Sequence, residues 1–209
     1  MIVARLASSA LALALVAGGA GARAAEEGQS PRAGLPHLAA GAPAAAPVWT
    51  LDKPGSRVTF RVTAGGQAFD GVVKRFDAQL AFSPTNLKAS HAVISLDMAS
   101  TMTGNPQRDQ ALPGAAWLFV RRFPRAVFVS RSFQAVGPDR YLLQGDLTLR
   151  GVTRPLLAPL TVVQTGERIR FEGQIALDRT LFGVGAGPEA ADVAPLVSVA
   201  IRLSARKAR

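Results

Sequence analysis

Eight segments of this chain alternate apolar and polar residues with a period of two, and this pattern limits the fold more than any other feature. In the first segment, Val58, Phe60 and Val62 alternate with polar neighbours. The others lie at residues 75–82, 92–98, 126–130, 141–150, 156–162, 169–178 and 197–203. A period of two predicts strands that bury one face. The turns between many of the segments are short, which favours antiparallel neighbours.

The connections also limit how these strands are arranged. No long amphipathic helix lies between them, which argues against a parallel α/β sheet. About eight antiparallel strands close into a barrel whose interior fits one elongated small ligand. Gly71, Gly145 and Gly173 lie in or beside the strands, where a barrel needs a bend or bulge. We therefore predict an all-β, eight-stranded antiparallel lipocalin-like barrel; a two-sheet sandwich is the alternative from the pattern alone.

The stretch 101–130 contains a break in the strand pattern, which resumes after Phe123-Pro124. Asn105 followed by Pro106 is typical of a helix start, since Asn caps free N–H groups and Pro lacks the donor that would stay unpaired. We predict a short helical insertion from Asn105 to Leu112, followed by an apolar run around Trp117. In a closed barrel this segment would cover one mouth.

The N-terminal region differs from the rest. Residues 1–24 carry Arg5, an apolar core at 6–20 and the small-x-small sequence Ala22-Arg23-Ala24, which predict a cleavable signal peptide. The core is short for a membrane span, although an uncleaved anchor is the alternative. Residues 25–47 are rich in Ala, Gly and Pro and are predicted to be a disordered linker. The folded domain is then expected at 48–206.

The composition excludes several kinds of chemistry. The chain has no cysteine, so it forms no disulfide and carries no thiolate or lipidated cysteine. Its two histidines are His37, in the linker, and His91, at a strand start, which leaves nothing that resembles a Ser/His/Asp triad or a metal cluster. No glycine-rich phosphate loop opens a helix. We expect a protein that is not an enzyme and holds no metal or cofactor.

The charge has two readings. The formal net charge is +10, with Arg5 and Arg23 contributing within the predicted signal. It reflects either a coding bias towards arginine or attraction to anionic head groups, which would bring peripheral contact with an anionic membrane. No nucleic-acid-binding motif is present, so no nucleic acid is expected as a partner.

Five stretches between Trp49 and Ala205 carry a family resemblance. They are Trp49-Thr50-Leu51-Asp52 with the strand after it, Thr103-Gly104-Asn105 with Arg108-Asp109, Phe123-Pro124 with Phe128, the hairpin from Gly145 to Pro155, and Asp178-Arg179-Thr180 with Phe182-Gly183-Val184. In this order they resemble the YceI-like, polyisoprenoid-binding periplasmic proteins. The chain departs from the pattern at Thr63, Ala64 and Gln110, in the two places where many relatives carry histidine.

The resemblance implies a periplasmic lipocalin-like barrel with an isoprenoid lipid, a polyprenyl phosphate or a quinone-like molecule, in its interior. It implies a carrier or sequestering role and a homodimer. The alternative is a non-catalytic stress or interaction module that docks on a membrane or protein through its basic surface.

The predicted ligand-binding residues combine barrel-facing apolar side chains with two charged residues of the helix. They are Phe60, Val62, Phe76, Leu80, Phe82, Ile94, Leu96, Phe119, Phe128, Leu147, Leu149, Phe171, Phe182, Arg108 and Asp109. For the aromatic residues the alternative is ordinary core packing. Arg108, with Arg150 or Arg179, would meet a head group, because guanidinium donors match phosphate oxygens. Alternatively Arg108 pairs with a strand carboxylate and Asp109 bonds backbone N–H groups.

Overall fold

The computed structural model describes residues 45–209; the predicted signal peptide, and the predicted linker up to residue 44, lie outside the described residues. The described part contains one α-helix, α1 (Pro106–Ala111), and ten strands. The strands are β1 (Val48–Ala64), β2 (Gln67–Val73), β3 (Phe76–Ala81), β4 (His91–Asp97), β5 (Thr101–Met102), β6 (Arg125–Gly137), β7 (Arg140–Leu149), β8 (Val152–Thr165), β9 (Arg168–Asp178) and β10 (Leu196–Lys207). Within residues 45–209, every helix is too short or too polar to cross a lipid bilayer.

The strands close into an antiparallel ring. The order runs β10-β9-β8-β7-β6-β4-β3-β1, and β1 pairs again with β10. β1 is long: Val48–Thr50 pair with β3, and Val58–Ala64 pair with β2. Because β2 continues β3 and β5 continues β4, the ring has eight strand positions. The predicted eight-stranded barrel is confirmed, and the sandwich alternative is wrong; β2 and β5 were not predicted.

One end of the barrel is filled by aromatic rings. The ring of Phe82 packs edge-on against Phe133, Tyr141 and Phe171, with centroids 5.2 to 5.5 Å apart. Trp49 Nε1 donates a hydrogen bond to the Phe82 carbonyl oxygen at 3.0 Å, which fixes β1 to this cluster. We call this the aromatic end.

Two irregular segments, residues 103–124 and 179–195, cover the other end, which we call the lid end. The first contains α1, and the predicted helix is confirmed: the Asn105 side chain accepts a hydrogen bond from Arg108 N at 3.1 Å and caps its start. The second is tied to the end of β1, since Gly65 N donates to Asp192 O at 2.9 Å and Ala194 N donates to Thr63 O at 2.8 Å. A second apolar cluster, around Val58, lies under these segments.

Candidate functional site

An elongated cavity of about 450 Å³ occupies the barrel interior. Its lining is almost wholly apolar. Along β9, every inward position from Phe171 to Leu177 lines it, a span of about 20 Å along the strand at ~3.3 Å per residue. With strands tilted by about 40°, this corresponds to about 15 Å along the barrel axis. The polar side chains in the lining are Thr59, His91, Thr101, Thr103, Arg108, Arg179 and Glu189.

Most residues predicted from the sequence to bind a ligand line this cavity. They are Phe60, Val62, Leu80, Phe82, Ile94, Leu96, Phe128, Leu147, Leu149, Phe171 and Arg108. Each strand residue among them lies on the inward face of the alternating pattern, because a closed barrel turns one face of every strand to the interior.

Phe76, Phe119, Phe182 and Asp109 do not line the cavity. Phe76 packs between the two apolar clusters, and Phe182 is buried in the cluster at the lid end. The ring of Phe119 turns away and packs edge-on against Phe123, with centroids 5.9 Å apart.

Several lining residues were missed by the sequence prediction. Phe69 and Trp117 line the cavity, as do the aliphatic side chains Ile175, Val199 and Ile201. The aliphatic residues share the inward faces of β9 and β10 with predicted core positions, so the period-two signal was present. The predicted set nevertheless included only Phe171 from β9 and no residue from β10.

Asp109 stabilises the turn before α1. Its carboxylate accepts hydrogen bonds from Thr103 N at 2.6 Å, Thr103 Oγ1 at 2.7 Å and Gly104 N at 3.2 Å. The backbone hydrogen bond from Thr103, followed by the bond from the Thr103 hydroxyl, holds the pKa of Asp109 below its ordinary value. This geometry matches the structural alternative for Asp109, a carboxylate that bonds backbone N–H groups.

Arg108 presents a cation at the lid end of the cavity. Its guanidinium carbon lies 4.0 Å from the Phe69 ring centroid, and its Nε donates to Thr103 Oγ1 at 3.3 Å. Among residues 45–209 no carboxylate lies within ion-pair distance of Arg108, so the pair with a strand carboxylate is not formed. Its Nη atoms make no hydrogen bond to the described residues and so remain available as donors.

The other two predicted head-group arginines are occupied by backbone carbonyls. Arg179 is only 6% exposed and donates to the carbonyl oxygens of Val184, Gly185, Ala190, Val193 and Ala194, at 2.5 to 3.1 Å. Arg150 donates to the carbonyl oxygens of residues 115–117 and of Gly183. Arg179 therefore holds the second lid segment together, and Arg150 ties the two lid segments to each other. Of the three arginines, Arg108 is left with free donors at the cavity.

Further polar groups are few. In the described part of the chain, no three His, Asp or Glu side chains are placed to hold a metal ion. Thr101 Oγ1 is a buried side-chain atom without a hydrogen-bond partner among these residues.

Known proteins are similar to this chain in sequence and in fold. The family model described as the YceI-like domain matches residues 49–205. The UPF0312 protein of Pseudomonas savastanoi pv. phaseolicola is 32% identical over 150 residues, which cover 67% of this chain and 78% of that protein.

Two solved structures are similar as well. The crystal structure of Burkholderia cenocepacia BcnA, 28% identical, has a TM-score of 0.70 and covers 74% of this chain and 98% of its own. A polyisoprenoid binding domain from Saccharophagus degradans, 16% identical, has the same fold, with a TM-score of 0.63. The match covers 78% of this chain and 99% of that domain. Because the family match extends from the start of β1 to the last strand, the chain belongs to the YceI-like domain family.

Proposed function

We propose that this barrel binds an isoprenoid or a similar long-chain amphiphilic lipid in its interior and acts in the periplasm as a carrier or sequestering protein. The observation that carries the proposal is the elongated apolar cavity of about 450 Å³. An eight-stranded barrel is just wide enough for side chains to fill it, so an open interior points to a ligand. The fold is shared with a domain described as polyisoprenoid binding, which supports this class of lipid.

The cavity size sets the scale of the bound chain. Because an apolar cavity of about 150 Å³ accommodates benzene, 450 Å³ accommodates roughly 18 carbon atoms. At about 0.8 kcal/mol per buried methylene, this chain would contribute about 14 kcal/mol. Association costs roughly 4–15 kcal/mol, so the affinity depends on how well the chain fits the walls.

The distribution of polar groups orients the lipid. Thr103, Arg108 and Glu189 line the cavity and belong to the two lid segments. At the aromatic end, Phe82, Phe133 and Phe171 line it, together with the imidazole of His91, which stands opposite Ala81. The apolar tail therefore lies towards the aromatic end, and the head group lies at the lid end beside the free donors of Arg108.

Native mass spectrometry with organic extraction of the protein purified from periplasm tests the proposal. We expect a co-purifying isoprenoid or similar lipid at a near-stoichiometric level. A mass equal to the protein alone, unchanged after incubation with polyprenyl lipids, would refute the proposal and favour a module that works through its basic surface.

A matched pair of variants tests whether the lipid lies inside the barrel. Val199 lines the cavity, whereas Val129 is 45% exposed on the outside of β6. We expect Val199→Trp to lower lipid binding at least tenfold, because the indole occupies the lumen, and Val129→Trp to leave binding unchanged. Equal binding by both variants would place the lipid elsewhere.

A further inference from the structure

Three glycines lie at inward-facing positions of the barrel wall. Gly71, Gly145 and Gly173 each stand between two cavity-lining residues of the same strand, as Gly173 does between Phe171 and Ile175. An inward position in a barrel strand normally carries a side chain that fills the interior. At these three positions there is none.

A larger side chain from a neighbouring strand covers each glycine instead. Phe60 is directly opposite Gly71, and Leu160 is directly opposite Gly173. A Cβ atom added to Gly71, Gly145 or Gly173 would come closer than 3.0 Å to the Phe60 ring, the Phe128 ring or the Leu160 side chain, respectively. The two rings and the leucine therefore lie flat against the wall, in space that only a glycine leaves open.

This arrangement sets the width of the lumen. A volume of 450 Å³ over about 15 Å gives a cross-section of roughly 30 Å², about 6 Å across, that is open to the centre of a water molecule. Adding the water radius of about 1.4 Å on each side makes the lumen about 9 Å wide between side-chain surfaces. A straight methylene chain, with carbon contacts at about 4 Å, leaves about 5 Å of this width unfilled, and a gap of 0.5–1 Å already loses a quarter to a half of the dispersion attraction. Side methyl groups along a chain would fill part of this gap and recover some of that attraction.

We propose that Gly71 and Gly145, by holding Phe60 and Phe128 against the wall, select a methyl-branched chain over a straight alkyl chain. This inference rests on the proposed lipid-binding function and adds the residues that decide which chain fits. The carbon skeleton of the tail, rather than its head group, is what these positions recognise.

Binding of two alcohols tests the inference: geranylgeraniol, which is methyl-branched, and n-hexadecanol, a straight chain with the same backbone length. We expect the wild type to bind geranylgeraniol at least tenfold more tightly. Gly71→Ala pushes the Phe60 ring into the lumen, so geranylgeraniol should lose at least tenfold in affinity while n-hexadecanol changes less than threefold. The double variant Gly71→Ala/Phe60→Leu removes the clash and should recover geranylgeraniol binding.

Controls separate this inference from the proposed function. Gly137→Ala is a matched control, because its added Cβ would meet only Arg140 atoms at 3.8 Å, and it should bind both alcohols like the wild type. Phe60→Leu alone keeps the assay informative if Gly71→Ala does not fold. This variant should lower the affinity for n-hexadecanol further relative to the affinity for geranylgeraniol. Equal affinity of the wild type for both alcohols, or equal losses in Gly71→Ala, would overturn the inference. A wild type that binds neither alcohol would refute the proposed function itself.

Discussion

Replacing the buried Arg179 by leucine should loosen the lid end of the barrel. The guanidinium is buried and lies among five backbone carbonyl oxygens between residues 184 and 194. No carboxylate in the described residues pairs with it, so these carbonyls alone compensate its charge. The same hydrogen bonds give residues 183–195, which have little regular structure, a fixed path across the barrel mouth.

The size of the effect follows from these bonds. A hydrogen bond to a charged group contributes about 1.5–3 kcal/mol, and a buried carbonyl left without a partner costs about 1–3 kcal/mol. Water that enters the opened loop will satisfy some of the carbonyls, so we expect a loss smaller than the sum over the five bonds, about 3–5 kcal/mol. Arg179→Lys should recover only part of this loss, because an ammonium has three donors and cannot fork to carbonyls on both sides.

Urea unfolding measures the global loss, and amide hydrogen exchange shows where it occurs. Exchange should accelerate mainly at residues 183–195 in Arg179→Leu. Arg154→Leu is the control, since Arg154 is exposed on β8, and its free energy of unfolding should change by less than about 0.5 kcal/mol. A loss below about 1 kcal/mol in Arg179→Leu, or exchange that rises equally over all strands, would refute this role of Arg179.

Three further outcomes are expected. Thr101→Val removes a buried hydroxyl that has no partner, so the free energy of unfolding in urea should stay equal or rise by up to about 1 kcal/mol; a clear loss would mean that the hydroxyl is bonded. Because its hydrogen bonds lower the pKa of Asp109, the ionised carboxylate stabilises the turn before α1 fully above pH 3.8, and this contribution is lost as the pH falls through the lowered pKa. Amide exchange at Gly104 should rise in that pH range in the wild type. Asp109→Asn should show no such step. Lipid binding should change the fluorescence of Trp117, which lines the cavity. Trp117→Phe should lose this fluorescence response, and Trp49→Phe should keep it. The reverse result would place the ligand at the aromatic end.

The barrel could be predicted because its signal is local. Inward and outward residues alternate along each strand, so Phe128 and Leu147 were placed on the cavity face without knowledge of their neighbours. The same rule failed for β2. At Gly71 the inward position has no side chain, since the Phe60 ring covers it from the next strand, and the apolar period is broken there. The function of Gly71 depends on which residue of β1 stands opposite it, and the local sequence pattern does not contain this strand register.

The lid segments were less predictable for a related reason. Trp117, Leu118 and Phe119 are consecutive apolar residues in a segment without periodicity, so the sequence does not indicate which of them faces inward. In the structure Phe119 has a φ of 48°, which turns its ring towards Phe123 and leaves Trp117 at the cavity. Arg179 was expected at a head group because arginine suits anions; its actual partners are carbonyls, whose positions depend on the path of the whole loop.

The seam between β1 and β10 determines when this barrel can form. Trp49 stands opposite Lys207, and Ala208 N donates to Val48 O at 2.9 Å, so the two ends of the domain are neighbours although about 160 residues separate them. The ring cannot close until the last strand is available, and a nascent chain short of β10 exposes both flanking strand edges. A circular permutant that joins these ends and opens in the turn between β8 and β9 would keep every strand pair. The original seam would then be a sequence-local hairpin, and the new seam would lie between β8 and β9.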